Sequence, residues 1–269
     1  MQNTNDAKKK ISMRVAESRE IAEGIYALTL VYPEGEAPEA VRPGQFAGLY
    51  PNDPTAILPR PISICRWNPA ERSLRFVYRV AGKGTAQFSQ LREKDALDML
   101  GILGNGYDLD LLEGKRVLLL GGGIGVPPML ELAAALSRRP GTDVTAALGY
   151  RDDQLFLADE MSGYARVLIA TEDGSAGVRG NVLDAVHKAQ VQADVLCACG
   201  PLPMLRAIKA YAAKQGIDAY LSLEERMACG VGVCLGCVTK TAKVDAHSMV
   251  RNARICTEGP VFPAKEVIL

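Results

Sequence analysis

Residues 117–129 read Val117-Leu118-Leu119-Leu120-Gly121-Gly122-Gly123-Ile124-Gly125-Val126-Pro127-Pro128-Met129. Four consecutive apolar residues, a glycine turn and a proline pair predict a buried strand over 117–120, a tight loop, and a helix over 127–138. The stretch 117–136 is apolar enough to suggest a membrane span, but its glycines, prolines and Glu131 argue for strand, turn and helix. Similar apolar runs recur at 144–148, 167–170 and 195–198, with helical patterns at 182–189 and 203–214. Such alternation implies a parallel sheet covered by helices over residues 111–218.

Upstream the period changes to two. Tyr26, Leu28, Leu30 and Tyr32 alternate with their neighbours, and Leu74, Phe76, Tyr78 and Val80 alternate with Arg75, Val77 and Arg79. Turn residues at Pro43-Gly44 and Asn52-Asp53-Pro54 separate the runs, so residues 1–110 are expected to form an antiparallel sheet or small barrel. Residues 219–269 carry a cysteine cluster in a segment short enough to need a metal for stability. The fold class is therefore mixed β and α/β in three parts, 1–110, 111–218 and 219–269.

Composition narrows the function. Among 269 residues, Lys+Arg and Asp+Glu both total 31, which leaves no basic footprint for nucleic acid. The opening residues, Met1 to Lys10, are polar and lack the apolar core of a signal peptide. The seven cysteines are odd in number and three crowd together, which points to a cytoplasmic metal site over a disulfide framework. Two histidines, His187 and His247, cannot serve a mechanism that needs several.

Cys229, Cys234, Cys237 and Cys256 follow the C-x4-C-x2-C…C spacing of plant-type 2Fe-2S clusters. Four thiolates must converge on two irons, and one tight loop supplies three of them. Gly230, Gly232 and Gly236 let backbone amides approach the cluster sulfurs. Structural zinc more often uses two C-x2-C pairs. Cys65 and Cys197 read as small buried hydrophobes.

The loop Gly121, Gly122, Gly123 and Gly125 lies where a dinucleotide pyrophosphate needs close backbone approach and a helix N-terminus. It departs from G-x-G-x-x-G, and a plain strand–helix turn gives the same string. Cys199-Gly200-Pro201 is a second strand–helix turn, and two such turns on adjacent strands make one crevice. Glu172 and Asp173 offer carboxylates that accept from ribose hydroxyls and repel a 2′-phosphate, favouring NAD over NADP, although a solvated turn reads the same way. In the first part, Arg60-Pro61-Ile62-Ser63, Val77-Tyr78-Arg79 and Gly84-Thr85 supply a guanidinium for a phosphate, a hydroxyl, an aromatic face and a glycine turn.

Together with Gly104-Asn105-Gly106-Tyr107, the Met227–Cys237 string and the tail Glu258-Gly259-Pro260-Val261-Phe262, these residues resemble the ferredoxin–NADP reductase superfamily. Within it, the chain is most similar over nearly its whole length to electron-transfer subunits of class 1B dihydroorotate dehydrogenase. The resemblance implies an FAD-binding antiparallel β-barrel, a nucleotide-binding parallel α/β domain and a small C-terminal 2Fe-2S domain. Arg60, Pro61, Ile62, Ser63, Val77, Tyr78, Arg79, Gly84 and Thr85 match FAD-contacting motifs. In that match Arg60 neutralises the pyrophosphate, Ser63 lies near the reactive flavin edge, and Cys199 lies near the nicotinamide.

The resemblance also implies an FMN-containing catalytic partner that oxidises dihydroorotate, in a heterotetramer of two plus two. Electrons then run from FMN through 2Fe-2S and FAD to NAD+. Relatives with the same modules and other partners, such as sulfide dehydrogenase or bifurcating ferredoxin–NADP reductase subunits, are the nearest alternatives. A zinc-stabilised binding module or redox sensor is the alternative of another class.

Overall fold

The computed structural model describes residues 8–53, 55–244 and 249–269, so Pro54, His247 and the first seven residues lie outside the described residues. Six strands close an antiparallel barrel: β1 (Lys10–Ala22), β2 (Ile25–Val31), β3 (Phe46–Leu49), β4 (Arg60–Asn68), β5 (Ser73–Arg79) and β6 (Ala96–Leu103). Their order is β1-β2-β5-β4-β3-β6. Period-two alternation sets which side chains enter it. Leu28 pairs with Phe76 and Leu30 with Leu74 across β2 and β5, and all four are fully buried with Met13, Ile64 and Met99. The short helix α1 (Lys83–Phe88) adds Phe88 to this core.

After residue 115 the chain builds a seven-stranded sheet from β7 (Arg116–Gly122), β8 (Asp143–Tyr150), β9 (Arg166–Thr171), β10 (Val178–Arg179), β11 (Val195–Cys199), β12 (Asp218–Ser222) and a late return strand. The first four apolar runs lie inside β7, β8, β9 and β11, as their burial requires. The helices between the strands are α2 (Val126–Leu136), α3 (Ala158–Ser162), α4 (Val182–Lys188) and α5 (Leu202–Gln215). Pro127 and Pro128 occupy the first turn of α2, where no N–H is needed. Asn181 caps α4 by accepting the Leu183 N–H at 2.9 Å, while Asp184 accepts the Asn181 N–H at 2.8 Å. Gly216, at φ +68°, ends α5 in the left-handed region.

The C-terminal part departs from the expected three-way division. The boundary expected at 218/219 falls inside β12, which pairs in parallel with β11. After β13 (Val238–Lys240) and its antiparallel partner β14 (Asn252–Arg254), the return strand β15 (Val261–Pro263) pairs antiparallel with β12. The cysteine segment has no apolar layer of its own. It is anchored by strands at both ends of an excursion over 223–260, with Cys237, Ile255 and Cys256 packed beside Leu221 and Phe262 of the sheet.

Barrel and sheet share one core. Ile25, Ala27, Cys65 and Val77 of the barrel pack with Leu119, Val126, Met129 and Leu130. On α2, Glu131 is buried against β4, where it accepts the Trp67 N–H at 3.1 Å with Arg66 3.7 Å away. Burial holds its carboxyl above the usual range, opposed by Arg66. Arg75 reaches both carboxylate oxygens of Glu160, each at 2.7 Å, across the same seam. Cys65 and Cys197 are fully buried, and burial pushes the Cys65 thiol up to about 12.

The Gly104-Asn105-Gly106-Tyr107 string joins all three parts. Asn105 Nδ2 donates to the carbonyls of Glu258 (2.9 Å) and Val261 (2.8 Å), and its Oδ1 accepts the Val261 N–H at 3.2 Å. The Tyr107 hydroxyl donates to Ala198 O in β11 at 3.3 Å. Asn105→Ala leaves these groups unpaired, at about 1–3 kcal/mol for each one that water cannot reach. Urea unfolding of the variant is expected to show a loss of about 2–4 kcal/mol, and a loss below about 0.5 kcal/mol contradicts the latch.

Candidate functional site

A cavity of about 810 Å³ lies between barrel and sheet. On the barrel side it is lined by Arg60, Pro61, Ile62 and Ser63 of β4, Val77, Tyr78 and Arg79 of β5, and Thr85 of α1. Ile124 of the glycine loop lines it from the sheet side, and residues 222–227 and Pro260 close it. The volume suits a large cofactor.

Arg60 Nη1 donates to Leu58 O at 2.6 Å, and the guanidinium lies against Gly84. A Cβ at Gly84 would stand 2.6 Å from Arg60 Nε, so a larger residue there would push the guanidinium out of this position. The first-turn N–H groups of α1 have no intrahelical acceptor. A fixed cation beside these donors fits a pyrophosphate. The Thr85 hydroxyl accepts from the Ala81 (2.9 Å) and Gly82 (3.2 Å) N–H groups, so it shapes the turn.

Tyr78 lines the cavity from its barrel side. Its ring points into the barrel, stacked on Tyr26 at 6.2 Å and edge-on to Phe88 at 5.9 Å, and only 1% of the residue is exposed. The phase of β5 requires this, because Tyr78 shares a face with Leu74 and Phe76. Arg79 is exposed instead, with Nη2 3.8 Å from where a Gly123 Cβ would stand. It thus places a cation at the glycine loop.

The two glycine turns meet backbone to backbone. A Cβ on Gly125 would lie 2.2 Å from Cys199 O, and one on Gly200 would lie 3.2 Å from Gly122 Cα. Gly121, one residue before the end of β7, is in register with Cys199 of β11. Since β8 and β9 lie to one side of β7 and β11 and β12 to the other, this is where strand order reverses, the usual ligand crevice of such sheets. Glu172 and Asp173 stand at the carboxyl end of β9, two strands from the loop, or about 10 Å. Asp173 accepts from Ser175 Oγ (2.7 Å) and N–H (2.9 Å), which holds it below the usual carboxylate range. Glu172 is exposed and makes no side-chain contact with the described residues.

Cys199 is fully buried, and burial raises its thiol well above the ordinary range. The Ser222 hydroxyl contacts that thiol and lines the cavity where Cys199 does not. Glu224, missed in the sequence, is an exposed residue that lines the cavity, and desolvation by the walls around it raises its carboxyl. Ser222 to Met227 connect β12 to the first cysteine, and that path was the signal available for them.

All seven cysteines are free thiols. Cys229 contacts Cys234, and Cys237 contacts Cys256. Among the described residues no three His, Cys, Asp or Glu side chains converge on a single metal ion. Two facing pairs fit a two-iron cluster better than one zinc ion. Backbone donors surround the sulfurs. The Val231 and Cys234 N–H groups lie 3.4 Å from Cys229 Sγ, and the Gly236 N–H lies 3.4 Å from Cys234 Sγ. Burial pushes the Cys229 thiol up, but these donors outweigh it and bring it to about 6. Burial and the Cys237 thiol push Cys256 up to about 12. Gly230 (φ +68°) and Gly232 (φ +84°) take left-handed conformations that wrap the loop.

A six-stranded barrel beside a parallel sheet, with one cavity between, defines the ferredoxin–NADP reductase fold. Similar solved structures include an NADH-dependent reduced ferredoxin–NADP oxidoreductase studied for flavin-based electron bifurcation. It is 28% identical, with a TM-score of 0.83, over 95% of this chain and 89% of that one. A ferredoxin–NADP+ reductase of Neisseria gonorrhoeae with bound FAD and NADP shares the fold at 17% identity and TM-score 0.66, over 78% and 93%.

The iron–sulfur cluster binding domain of dihydroorotate dehydrogenase B matches residues 224–268. The chain is 43% identical over 264 residues to the dihydroorotate dehydrogenase B (NAD(+)) electron transfer subunit of Streptococcus pneumoniae, spanning 96% of this chain and 98% of that one. It is 42% identical to the subunit of the same name from Listeria monocytogenes, again spanning 96% and 98%. The chain belongs to this family of electron transfer subunits.

Arg60→Ala removes the guanidinium while leaving the cysteine segment untouched. Its FAD-to-iron ratio after gel filtration is expected to fall about tenfold or more, the loss of one charge-assisted hydrogen bond or greater. An unchanged ratio contradicts the assignment of Arg60.

Proposed function

We propose that the chain is the electron-transfer subunit of an NAD-linked dihydroorotate dehydrogenase. It holds FAD in the cavity at the barrel–sheet seam and a 2Fe-2S cluster on Cys229, Cys234, Cys237 and Cys256, and it takes NAD(H) at the glycine crevice. The observation that carries the proposal is that three structural parts wall a single cavity. Arg60 to Ser63 form one side, the glycine loop another, and the segment leading into Cys229 the third. The functional units are then the barrel to residue 103, the sheet over 116–222 with 261–263, and the cysteine excursion over 223–260.

A bound flavin exchanges hydride with a nicotinamide and single electrons with an iron–sulfur centre, so it belongs between the two. The chain's own residues arrange that meeting. Arg60 and the first turn of α1 neutralise the pyrophosphate. Ser63, partly exposed on β4, presents its hydroxyl to the cavity toward the reactive ring edge. Gly121, Gly122, Gly123 and Gly125, with Gly200, admit the backbone to nucleotide phosphates, and Arg79 adds a cation at the rim. Glu172 accepts the ribose hydroxyls and disfavours a 2′-phosphate, which selects NAD. Cys199 acts from behind Ser222, shaping the nicotinamide side of the wall without needing to ionise.

The chain works with a catalytic subunit, whose chemistry oxidises dihydroorotate to orotate in pyrimidine biosynthesis. We further propose that the partner carries FMN and that two chains of each kind assemble. Val233 and Leu235, 80% and 64% exposed on the cysteine loop, are the apolar residues such a partner would cover. A cluster held by four thiolates suits a reducing compartment, so we place the protein in the cytoplasm. No described helix is long and apolar enough to cross a membrane.

The likeness to the NADH-dependent reduced ferredoxin–NADP oxidoreductase favours one second reading, in which the same modules serve another partner. One experiment separates the two. The tagged chain is isolated from its own cells without air and given dihydroorotate and NAD+. NADH formation with both FAD and FMN present is expected. FAD and iron with no activity, even after an FMN-loaded catalytic subunit is supplied, would contradict the dihydroorotate assignment and leave electron transfer standing.

A further inference from the structure

Arg254 ends β14, two residues before Cys256, and its guanidinium works in two directions. Toward the tail, Nε donates to both Glu258 carboxylate oxygens (3.1 and 3.0 Å) and Nη2 donates to Oε1. The Arg254 backbone N–H also donates to Glu258 Oε2, at 2.6 Å. Toward the cysteine loop, Nη1 donates to the Gly232 carbonyl at 3.2 Å.

Gly232 sits between Cys229 and Cys234 at φ +84°, and a Cβ there would stand 2.8 Å from Thr257 Cγ2. On either side of it in the loop, the Val231 and Cys234 N–H groups lie 3.4 Å from Cys229 Sγ. Gly232 is therefore held by its carbonyl on Arg254, in the middle of the loop that carries these donors. The carboxylate of Glu258, which also accepts from Thr257 Oγ1 at 3.0 Å, neutralises the guanidinium. What Arg254 adds at the loop is geometry more than charge.

We propose that Arg254 is a positioning residue that sets the reduction potential of the cluster by holding, through the Gly232 carbonyl, the loop whose Val231 and Cys234 N–H groups face Cys229 Sγ. N–H donors to cluster sulfurs stabilise the reduced, more negative state and so raise the potential. A planar fork reaches Glu258 and the Gly232 carbonyl together, whereas a lysine ammonium has no such fork. The proposal rests on the four cysteines holding a 2Fe-2S cluster.

The test uses the full chain, loaded with cofactors and purified without air, as wild type, Arg254→Gln and Arg254→Lys. Iron and FAD are quantified, and the cluster is titrated potentiometrically with electron paramagnetic resonance detection. Both variants are expected to hold iron and FAD at wild-type levels with a more negative midpoint. At a fixed potential the ratio of reduced to oxidised cluster falls about fivefold, the size of one lost hydrogen bond. A wild-type midpoint in both variants overturns the proposal, and so does a midpoint restored by lysine, which would assign the effect to charge. Loss of iron from both variants overturns it in favour of a purely structural role. Wild-type protein without iron would instead sink the cluster assignment itself, so the two failures are distinguishable.

Discussion

The packing of α2 against β4 is the contact on which the rest of the molecule depends. It brings Val126 and Met129 of the sheet into one core with Cys65 and Val77 of the barrel. It also buries Glu131 where the Arg66 guanidinium and the Trp67 N–H, with Arg138 and Arg75 further off, offset the desolvation of its carboxylate. A buried carboxylate tolerates little displacement from such partners, because an unpaired charge in that setting is costly. The seam therefore fixes the distance between the Arg60 strand and the glycine loop, and the cavity between them follows from that distance.

The same constraint accounts for the cysteine segment. Its 38 residues, from 223 to 260, leave the sheet from β12 and return to it as β15, with Asn105 of the barrel gripping the returning strand. Both ends of the excursion are set by the sheet, and its first residues form the cavity wall. The cavity and the cysteine loop are thus joined directly through residues 222–227. Glycines make the close approaches possible: Gly84 under Arg60, Gly125 against Cys199 and Gly232 against Thr257.

Much of this was legible in the sequence, for identifiable reasons. The run from Val117 to Met129 specifies a strand, a turn and a helix through composition that is local and strongly patterned. The spacing of Cys229, Cys234 and Cys237 is equally local, whereas Cys256 is brought beside Cys237 by the pairing of β13 with β14. What the sequence hid depends on tertiary context. Tyr78 packs in the barrel core with Leu74 and Phe76 while lining the cavity, a placement set by the phase of β5 and its tertiary neighbours. The membership of β12 and β15 in the sheet depends on a long antiparallel return, which no local pattern announces. Cys199 lies behind the cavity wall, and its register partner Ser222 on the neighbouring strand, also buried, is the residue that lines the cavity. Glu224 and Met227 reach the cavity only because the chain leaves β12 in that direction.

The central claim is that the nicotinamide crevice, the cavity and the cysteine loop form one electron path within this single chain. The most direct measurement adds NADH to the anaerobic, isolated chain without any partner and follows both flavin absorbance and the paramagnetic signal of the cluster. The account predicts bleaching of the flavin together with the signal of a reduced 2Fe-2S cluster. A flavin that bleaches while an intact, reducible cluster stays oxidised would contradict it.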